Sequence, residues 1–458
     1  MVEAIANGVE DKLIDGLSFK LNPGASYVVD RRSVTFHPQG SNIYMPGQGT
    51  KLIRILLTGD NWMDPSTFRV MFTLNNLAGE SVTPKNLRPL GGPWSFFRRM
   101  RILCAGQLVE DIMDYNRIHE MIHMMIARES RENDMAEAFG QVWDEYAWQQ
   151  NRFDVEDFHG IEPESGMTVL FKPLSGILNQ NKLLPLRYAP ITIELELVDD
   201  KNEPILSSFS KPGMGDGFSA DNTSTSWSIN NVQVKCDVCT LDNALDNSYA
   251  QHLLSGKSLP ITYNTFISQM QTIAGQDNPL ITVSRAITRL KSVFVTLVKD
   301  HTGETTPYDG RKAWNDFFSP MHYHNASGYF RHEQDAEFEF QLQIGSKLFP
   351  EYPIRSHTEA YYQLKKTLGV QASAVHNFDI TATEYRDRKF VIGTDCEKVL
   401  DAGFTGINTR AGDLLSVKFK WNDRGVAGGT QYLADRMHII LHSDQIMEIR
   451  DTGVAVYD

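Results

Sequence analysis

The sequence contains very little cysteine, only four residues among 458. Small secreted domains that depend on disulfides use cysteine far more densely, so a disulfide framework is excluded and a reducing compartment is indicated. Cys236 and Cys239 have the C-x-x-C spacing of zinc and redox sites, but the chain has no second such pair. The two positions also face opposite sides of a strand, because side chains alternate along it. We expect free thiols at Cys104, Cys236, Cys239 and Cys396.

Long hydrophobic runs are missing as well. No apolar stretch approaches the ~20 residues that a helix needs to cross a bilayer. The N-terminal stretch "MVEAIANGVEDKLIDGLSFK" has neither the basic start nor the apolar segment of a signal peptide. We therefore expect the chain to be made and kept in the cytosol.

Positive charge is in deficit. Lys and Arg number 44 against 57 Asp and Glu, which gives a formal net charge of −13. Proteins that coat nucleic acid bind its phosphates through an excess of Lys and Arg, so we expect no sequence-specific nucleic-acid binding. The segment "GPWSFFRRMRIL" does interleave aromatic residues with Arg98, Arg99 and Arg101, in the manner of a single-strand binding surface. We favour a strand whose inward face carries Trp94, Phe96, Met100 and Ile102.

Glycine-rich loops with a cofactor signature are also absent from the sequence. "SGKSLP" lacks the first glycine of a phosphate loop, because Gln251 stands there, and Pro260 follows where a helix should begin. "GMGDGF" has no flanking strand and helix. No Ser/His/Asp order or carboxylate pair stands out. We expect no cofactor and no enzyme active site.

Period-2 alternation, in contrast, is abundant. "ITIELELV" in the first half and "EFEFQLQIGSK" in the second place an apolar residue at every second position, with polar residues between. Strands of this kind bury one face and expose the other, as in antiparallel sandwiches. We predict a mainly β protein. In the first run the face expected to meet solvent carries Thr192, Glu194 and Glu196. In the second run the positions expected to face solvent or a neighbouring subunit are Glu337, Glu339, Gln341 and Gln343.

Helices are few and clearly bounded. Ser356 and Glu359 form a capping box, and Gly369 is placed to end that helix. A second helix, "LDNALDNSYAQHLLSG", lies between two halves of similar length. Its apolar stripe consists of Leu241, Leu245, Tyr249 and Leu253. Four long stretches lack strand patterns and indicate insertions: 106–166, 201–226, 301–334 and 345–377.

The motif "HEMIH" has the spacing of a zinc peptidase. His119 and His123 are one helical turn apart, and Glu120 is in the place of the residue that activates water. Glu137 or Glu145 could supply a third ligand. The surrounding residues favour another interpretation, because an apolar stripe of helical spacing runs beside the two histidines. It consists of Ile118, Met121, Ile122, Met125 and Ile126. We favour a packed helix without metal over a zinc site.

Longer phrases of the chain resemble a known family. They are "LLPLRYAPITIELELV", "SGKSLPITYNTF", "FEFQLQIGSKLFPEYPIRS", "GFTGINTRAGDLLSVKFKW", "HIILHSDQIMEIRDTGVAVYD" and, in the first half, "NLRPLGGPWSFFRRMRILCAGQLVEDI". Together they resemble the major capsid proteins of Polinton-like viruses and adintoviruses.

That resemblance implies a double jelly roll, with two tandem eight-stranded antiparallel sandwiches, long loop insertions and a few short helices. It implies a homotrimer of pseudo-hexagonal outline, tiled into an icosahedral shell around double-stranded DNA and assembled inside the host cell. The implied partners are other copies of the chain, a penton protein, minor or cement capsid proteins and, in some members, an inner membrane. The family carries no catalytic motif, so the resemblance transfers no site residues.

On this basis we divide the chain into an N-terminal arm (1–22), a first jelly roll (23–241, with the insertion at about 106–166), a linker helix (242–257) and a second jelly roll (258–458). We expect the linker helix and loops such as "AWNDFFSPMHYHNASGYF" to contact neighbouring protomers. Two alternative functions remain open at this point. They are a zinc metallopeptidase that uses "HEMIH" and a β-sandwich binding module.

Overall fold

The computed structural model of the chain describes residues 27–47, 51–80, 85–126, 131, 134, 136–139, 160–205, 224–274, 276, 278–298, 323–324, 330–331, 338–369, 380, 385, 389–398, 405–410, 414–421, 430–431 and 434–458. Within them the chain is mainly β, as predicted, with antiparallel pairing between the strands.

In the first half, the described residues form ten strands in two sheets. One sheet has the order β1-β10-β4-β7, with β2 on β10 and β8 on β4, and the other has the order β3-β9-β5-β6. The strands are β1 (Val28–Phe36), β2 (Ile43–Tyr44), β3 (Leu52–Leu57), β4 (Trp62–Asn76), β5 (Phe97–Cys104), β6 (Gln107–Met113), β7 (Gly166–Phe171), β8 (Leu184–Pro185), β9 (Ile191–Leu197) and β10 (Trp227–Leu241).

In the second half, the part of the chain that the structure describes forms two larger sheets and a small one. Their orders are β11-β21-β13-β18, with β22 on β21, then β12-β19-β16-β17, and β15-β14-β20. The strands are β11 (Leu259–Thr272), β12 (Leu280–Thr282), β13 (Leu290–Val298), β14 (Tyr323–His324), β15 (Phe330–Arg331), β16 (Phe338–Ile344), β17 (Lys347–Ile354), β18 (Val391–Asp395), β19 (Leu415–Trp421), β20 (Thr430–Gln431), β21 (Arg436–Arg450) and β22 (Gly453–Tyr457).

The two halves repeat one topology. Among the described residues, each half has eight principal strands once the two-residue strands and β22 are set aside. In chain order, the first sheet of each half runs first-eighth-third-sixth, and the second runs second-seventh-fourth-fifth. This is the strand order of a jelly roll, in which two four-stranded sheets face each other across one core. The predicted fold class, two tandem eight-stranded jelly rolls, is therefore confirmed.

The period-2 pattern of "EFEFQLQIG" predicts burial correctly. Phe338, Phe340, Leu342 and Ile344 are buried, and the polar residues between them are partly exposed. Gln341 lies on the outer face and donates hydrogen bonds of 3.0 Å to the backbone oxygens of Pro350 and Glu351 on β17. Glu337 lies outside the described residues.

Glu194 departs from the expectation that its face of β9 meets solvent, because its side chain is only 3% exposed. Strand β9 lies between β3 and β5, and Arg54 and Arg101 stand directly opposite Glu194 on these neighbours. Both arginines form ion pairs with its carboxylate. Alternation put Glu194 on the polar face correctly, but the two long arginine side chains cover it there.

The described helices include a short 3-10 helix (Pro93–Phe96), α1 (Tyr115–Met125), α2 (Asn243–Leu254) and α3 (His357–Thr367). The capping box of α3 is present, since the amide of Glu359 donates to Ser356 Oγ at 3.1 Å. Helix α2 begins after Asp242, whose carboxylate accepts a hydrogen bond from the amide of Ala244. None of the described helices is long and apolar enough to cross a membrane.

Three details of the sequence-based assignment were wrong. Strands β6, β14, β15 and β17 lie in stretches that were expected to contain no strand, namely 106–166, 301–334 and 345–377. Residues Pro93–Phe96 form a 3-10 helix, so the strand predicted from Trp94 begins only at Phe97. The predicted stripe of α2 fails too, because Leu241 belongs to β10 and only Leu253 is buried on the helix.

Candidate functional site: the seam between the two sandwiches

The two jelly rolls meet along an interface that we call the seam. Strand β6, the start of α1 and the turn at 174–178 approach from the first sandwich, and β11 and β21 approach from the second. At one end of the seam the Lys182 ammonium donates to the backbone oxygen of Pro260 at 2.9 Å. Many of the side chains along the seam are polar and buried, so their hydrogen bonds fix how the sandwiches can meet.

Asp114 forms the central link of the seam. It follows β6 in the left-handed conformation, with φ 50, and its side chain makes no capping hydrogen bond to α1. Its carboxylate instead reaches the second sandwich, where it accepts a 2.7 Å hydrogen bond from Ser268 Oγ on β11. The same oxygen lies 3.3 Å from Nδ1 of His438 on β21.

The pKa values of this pair follow from burial and from the contacts of each group. Burial by itself would raise the pKa of Asp114, but the hydrogen bond and charge of His438, the hydrogen bond of Ser268 and the charge of Arg117 lower it to about 2. Burial lowers the pKa of His438. At neutral pH Asp114 is therefore an ionised carboxylate that lies within hydrogen-bonding distance of Nδ1 of His438.

Glu110 on β6 organises the turn that touches the second sandwich. Its carboxylate is buried and accepts hydrogen bonds from the Ser175 hydroxyl, from the amide of Gly176 at 3.0 Å and from the amide of Ile177 at 3.3 Å. Burial raises the pKa of Glu110, and these hydrogen bonds oppose the rise. The turn is thereby held against the backbone of β11 at Asn264.

The backbones of the two sandwiches approach each other closely at Gly176. A Cβ atom at this position would overlap the carbonyl oxygen of Asn264 and lie 2.9 Å from its amide nitrogen. Only glycine fits here, and the reason is the space between two backbones rather than an unusual φ angle.

The C-terminal residues join the same interface. The hydroxyl of Tyr263 lies 2.9 Å from the backbone oxygen of Val109 on β6 and 2.7 Å from Oε1 of Gln445 on β21. Gln445 in turn donates to the Asp458 carboxylate at 2.7 Å. These contacts connect β6, β11, β21 and the last residue in one hydrogen-bonded chain.

A cleft of about 460 Å³ opens beside this network. The first sandwich contributes the turn at Ser175 and Gly176 to its lining, and the second contributes Lys291, His442 and Asp444. Lys291 is neutralised by Asp444 at 3.9 Å and by a second carboxylate, that of Glu397, at 3.2 Å. The lining therefore presents no uncompensated positive charge to an anionic ligand.

The histidines of "HEMIH" lie on α1, as predicted, and both are buried. The ring of His119 stacks on Trp94 at 4.0 Å between centroids, and its Nδ1 lies 3.2 Å from the hydroxyl of Tyr115. His123 contacts the edge of the same indole. Burial lowers the pKa of both histidines, that of His123 to about 4.

Glu120 is not arranged to activate a metal-bound water. Its carboxylate accepts a 2.6 Å hydrogen bond from Trp94 Nε1 and a 3.3 Å hydrogen bond from the amide of Gly92. Glu137, one nominated third ligand, pairs with Arg69, and Glu145 lies outside the described residues. Among the residues that the structure describes, no three His, Cys, Asp or Glu side chains are grouped to hold a metal ion. The arrangement does not support a zinc peptidase.

His119→Ala tests this interpretation. We expect the free energy of unfolding to fall by about 2 kcal/mol, because the substitution opens a cavity against Trp94. We expect the zinc content of the purified protein to be unaffected. Urea denaturation and elemental analysis measure the two effects, with His252→Ala on the surface helix α2 as the control. Stoichiometric zinc that His119→Ala removes would contradict the prediction.

The remaining candidate residues have structural partners. All four cysteines are buried free thiols, including Cys236 and Cys239 on β10. Arg98, Arg99 and Arg101 pair with the carboxylates of Asp199, Asp111 and Glu194. These arginines are therefore neutralised by neighbouring carboxylates and do not form a free basic surface.

Some sequence-based proposals lie outside the described residues. They concern the N-terminal arm at 1–22 and almost all of the loop "AWNDFFSPMHYHNASGYF". The seam residues, by contrast, are described but were missed by sequence analysis. One signal in the sequence could have pointed to them, because Glu110, Asp114 and His438 are ionisable residues close to apolar positions of strands. An ionisable side chain that becomes buried there needs a partner from another part of the fold.

No protein-family model matches the chain, and no curated protein matches its sequence. Solved structures do match. The chain is similar to VP54 of the virus PBCV-1, fitted into a cryo-EM reconstruction of the virophage Sputnik, at a TM-score of 0.58 and 9% identity, over 96% of this chain and 100% of that one.

Two further structures agree with it. The Sputnik virophage structure matches with a TM-score of 0.58 at 8% identity, over 98% of this chain and 92% of that one. The Faustovirus major capsid protein matches with a TM-score of 0.53 at 8% identity, over 97% of this chain and 96% of that one. The chain therefore has, over nearly its whole length, the double jelly-roll fold of these viral capsid structures.

Proposed function

We propose that the chain is the major capsid protein of a double-stranded DNA virus. In this role it assembles as homotrimers of pseudo-hexagonal outline, and the trimers tile an icosahedral shell. The observation that carries the proposal is the repeated jelly roll, joined at a buried seam, in a fold that spans nearly the full length of the Faustovirus capsid protein.

The seam suits a shell component physically. A capsomer needs two sandwiches at one fixed orientation, since each error in that angle accumulates around a closed ring. Buried charged and hydrogen-bonded groups are satisfied in one arrangement only, so they select that orientation more sharply than apolar contact does. Asp114 with His438, and Glu110 with the turn at 174–178, provide such groups.

The domain division is part of the same proposal. We place the first jelly roll at 23–241, the linker helix at 242–257 and the second jelly roll at 258–458, with 1–22 as an arm that reaches a neighbouring capsomer or the shell interior. The position of α2 between β10 and β11 supports the boundary. Tyr249 of α2 packs against Trp62 in a tilted arrangement, with 4.9 Å between the ring centroids, and this contact anchors the linker to the first sandwich.

The proposed location is the virion, and the role is structural rather than catalytic. The resemblance adds a penton protein, minor or cement proteins and, in some members, an inner membrane as partners. Loops such as "AWNDFFSPMHYHNASGYF" are proposed to contribute to the contact between protomers of the trimer or to its tower. Neither alternative function has a supporting arrangement of side chains among the described residues.

The test is the mass and morphology of the expressed protein. We expect native mass spectrometry to give a trimer that persists on dilution, because obligate interfaces bury more than ~2,000 Å². We expect negative-stain electron microscopy to show pseudo-hexagonal particles or closed shells. A stable monomer across the concentration series would refute the proposal, and glycan binding by that monomer would point to a binding module.

A further inference from the structure

Three ionisable side chains of α1 pack around one indole ring. His119 stacks on Trp94 with 4.0 Å between the ring centroids, and His123 meets the edge of the same ring at 4.6 Å. Between them, Glu120 accepts a hydrogen bond from Trp94 Nε1. His119 is 8% exposed and His123 is 5% exposed. Packing alone does not require ionisable groups at these positions, because apolar side chains fill a core without the cost of burying a polar group.

The surroundings of His119 suit an uncharged ring. Its Nδ1 lies 3.2 Å from the hydroxyl of Tyr115, and the aromatic rings of Trp94 and Phe171 lie against it. Among the described residues, no carboxylate forms an ion pair with His119. Burial lowers the pKa of His119, and the charge of His123 lowers it further.

His123 is also placed where a proton is poorly accommodated. Its Nε2 is buried and has no hydrogen-bond partner in the part of the chain that the structure describes. Asp134 lies 3.9 Å from its Nδ1, but that carboxylate is 58% exposed, so solvent weakens the attraction. Burial, followed by the charge of Arg131, lowers the pKa of His123 to about 4. A protonated ring here would bury a charge and an N–H group without an acceptor.

Glu120 responds to acid in the opposite direction. Burial raises its pKa, whereas the hydrogen bonds from Trp94 and Gly92 and the charges of Lys389 and Arg131 oppose the rise. Acidification therefore removes a buried charge at Glu120 and adds one at each histidine. The two kinds of group must be separated in any measurement of the pH response.

Helix α1 is directly connected to the seam. The Tyr115 hydroxyl that lies beside His119 also accepts a 2.9 Å hydrogen bond from the amide of Leu174, the first residue of the turn at 174–178. Asp114, the central link of the seam, is the residue immediately before α1. If α1 moves away from the 3-10 helix, the seam loses support from the first sandwich at both points.

We propose that α1 is an acid-sensitive closure of the seam, in which His119 and His123 take up protons at about pH 5.5, α1 separates from Trp94 and the junction between the sandwiches loosens. In an assembled shell this opening would weaken every capsomer at mildly acidic pH. The consequence for the shell rests on the proposed function, whereas the opening of α1 is a property of the single chain.

The sign of the pH response follows from the position of each histidine. The ordinary imidazole pKa is 6.5, and both pKa values in the closed form are lower. Lowered histidine pKa values stabilise the closed form above pH 6.5, and this stabilisation is lost as pH falls, because only the open form takes up protons. Each histidine therefore raises the opening equilibrium constant about tenfold between pH 7.5 and pH 5.5, and the two together raise it about 100-fold.

Hydrogen exchange of the full-length protein tests the proposal. Mass spectrometry at pH 7.5 and pH 5.5, corrected for the intrinsic exchange rates, measures the opening of α1. We expect the pH response of the wild type to exceed that of the double variant His119→Gln/His123→Gln by about 100-fold, and that of each single variant by about tenfold. Glu120 is present in all of these proteins, so its opposing effect cancels. His252→Gln on α2 is the control and should respond as the wild type does.

Two further measurements sharpen the test. The amide of Leu174 should lose protection in step with α1, because its acceptor, Tyr115, belongs to that helix. Glu120→Gln should enlarge the pH response, because it removes the opposing carboxylate. His119→Phe keeps an aromatic ring against Trp94 and replaces His119→Gln if that variant does not fold at pH 7.5.

The outcomes separate this inference from the proposed function. An identical pH response of α1 in the wild type and the histidine variants would overturn the inference, and so would equal changes in α1 and the core strand β16. Opening of α1 with continued protection of the Leu174 amide would overturn the link to the seam. Wild-type shells at pH 7.5 without the histidine-dependent response would leave the capsid role standing. A monomeric wild type with that response would overturn the capsid role alone.

Discussion

Gly176→Ala is expected to lower the free energy of unfolding by about 3 kcal/mol and to weaken the junction between the two sandwiches. The added methyl group would overlap the carbonyl oxygen of Asn264, which belongs to the backbone of β11 and cannot rotate away. Either β11 or the turn at 174–178 must move, and the turn is held by the buried carboxylate of Glu110. The strain therefore falls on the seam.

Gly79→Ala is the matched control, since a Cβ atom at Gly79 meets nothing within 4 Å. Urea denaturation measures the loss of stability in both variants, and native mass spectrometry measures assembly. If the seam sets the orientation of the sandwiches, Gly176→Ala should also give fewer trimers at a given concentration. Equal stability of the two alanine variants would show that the sandwiches do not meet at this point.

The fold could be predicted from the sequence where strands are buried on one face. "EFEFQLQIG" lies against a single core, so alternation records its burial directly. β21 differs, because most of Met437–Gln445 is buried on both faces, between its own core and the first sandwich. Such a strand loses the alternating pattern, and periodicity alone cannot identify it.

The two longest strands that sequence analysis missed, β6 and β17, have a different cause. β6 and β17 are edge strands of equivalent sheets, where one side of the backbone lacks a partner within the sheet. Edge strands carry polar residues and prolines more freely, as in "KLFPEYPI", so the local pattern indicates a loop. Their place follows from topology, because each sandwich needs a fifth strand in its second sheet.

The seam could not be derived from local sequence at all. Asp114 and Ser268 are 154 positions apart, and Asp114 and His438 are 324 apart. Local patterns give the conformation of each segment, whereas these contacts depend on how two complete sandwiches pack. "HEMIH" shows the opposite error, in which a local motif suggests chemistry that the packing of Trp94 against His119 and Glu120 does not support.

Asp114→Asn is the second variant with a large expected effect. Asparagine has the size of aspartate and tolerates the left-handed conformation at φ 50, so the substitution removes mainly the charge. The pKa of Asp114 is about 2 in the folded protein, against an ordinary value of 3.8. A depressed carboxyl pKa stabilises the fold above the unfolded value, and this contribution is lost as pH falls through the folded value.

We therefore expect the wild-type protein to lose about 2 kcal/mol between pH 4 and pH 2 that Asp114→Asn does not lose. At neutral pH the variant should be less stable by a similar amount. Urea denaturation of both proteins across this pH range measures their free energies of unfolding. The difference between the two free energies removes the effect of the carboxylates that both proteins contain. Asp451→Asn, on the exposed turn between β21 and β22, is the control and should follow the wild type.

The pH dependence distinguishes two roles for Asp114. If it only shaped the turn before α1, Asp114→Asn would leave the pH profile unchanged, because asparagine preserves that backbone conformation. If it links the sandwiches through Ser268 and His438, the profile must change, since the charge that these groups stabilise has been removed. His438→Gln should then abolish part of the same pH dependence without altering β6 or α1. Additive effects of Asp114→Asn and His438→Gln would contradict a direct link, because residues in one hydrogen-bonded pair are coupled.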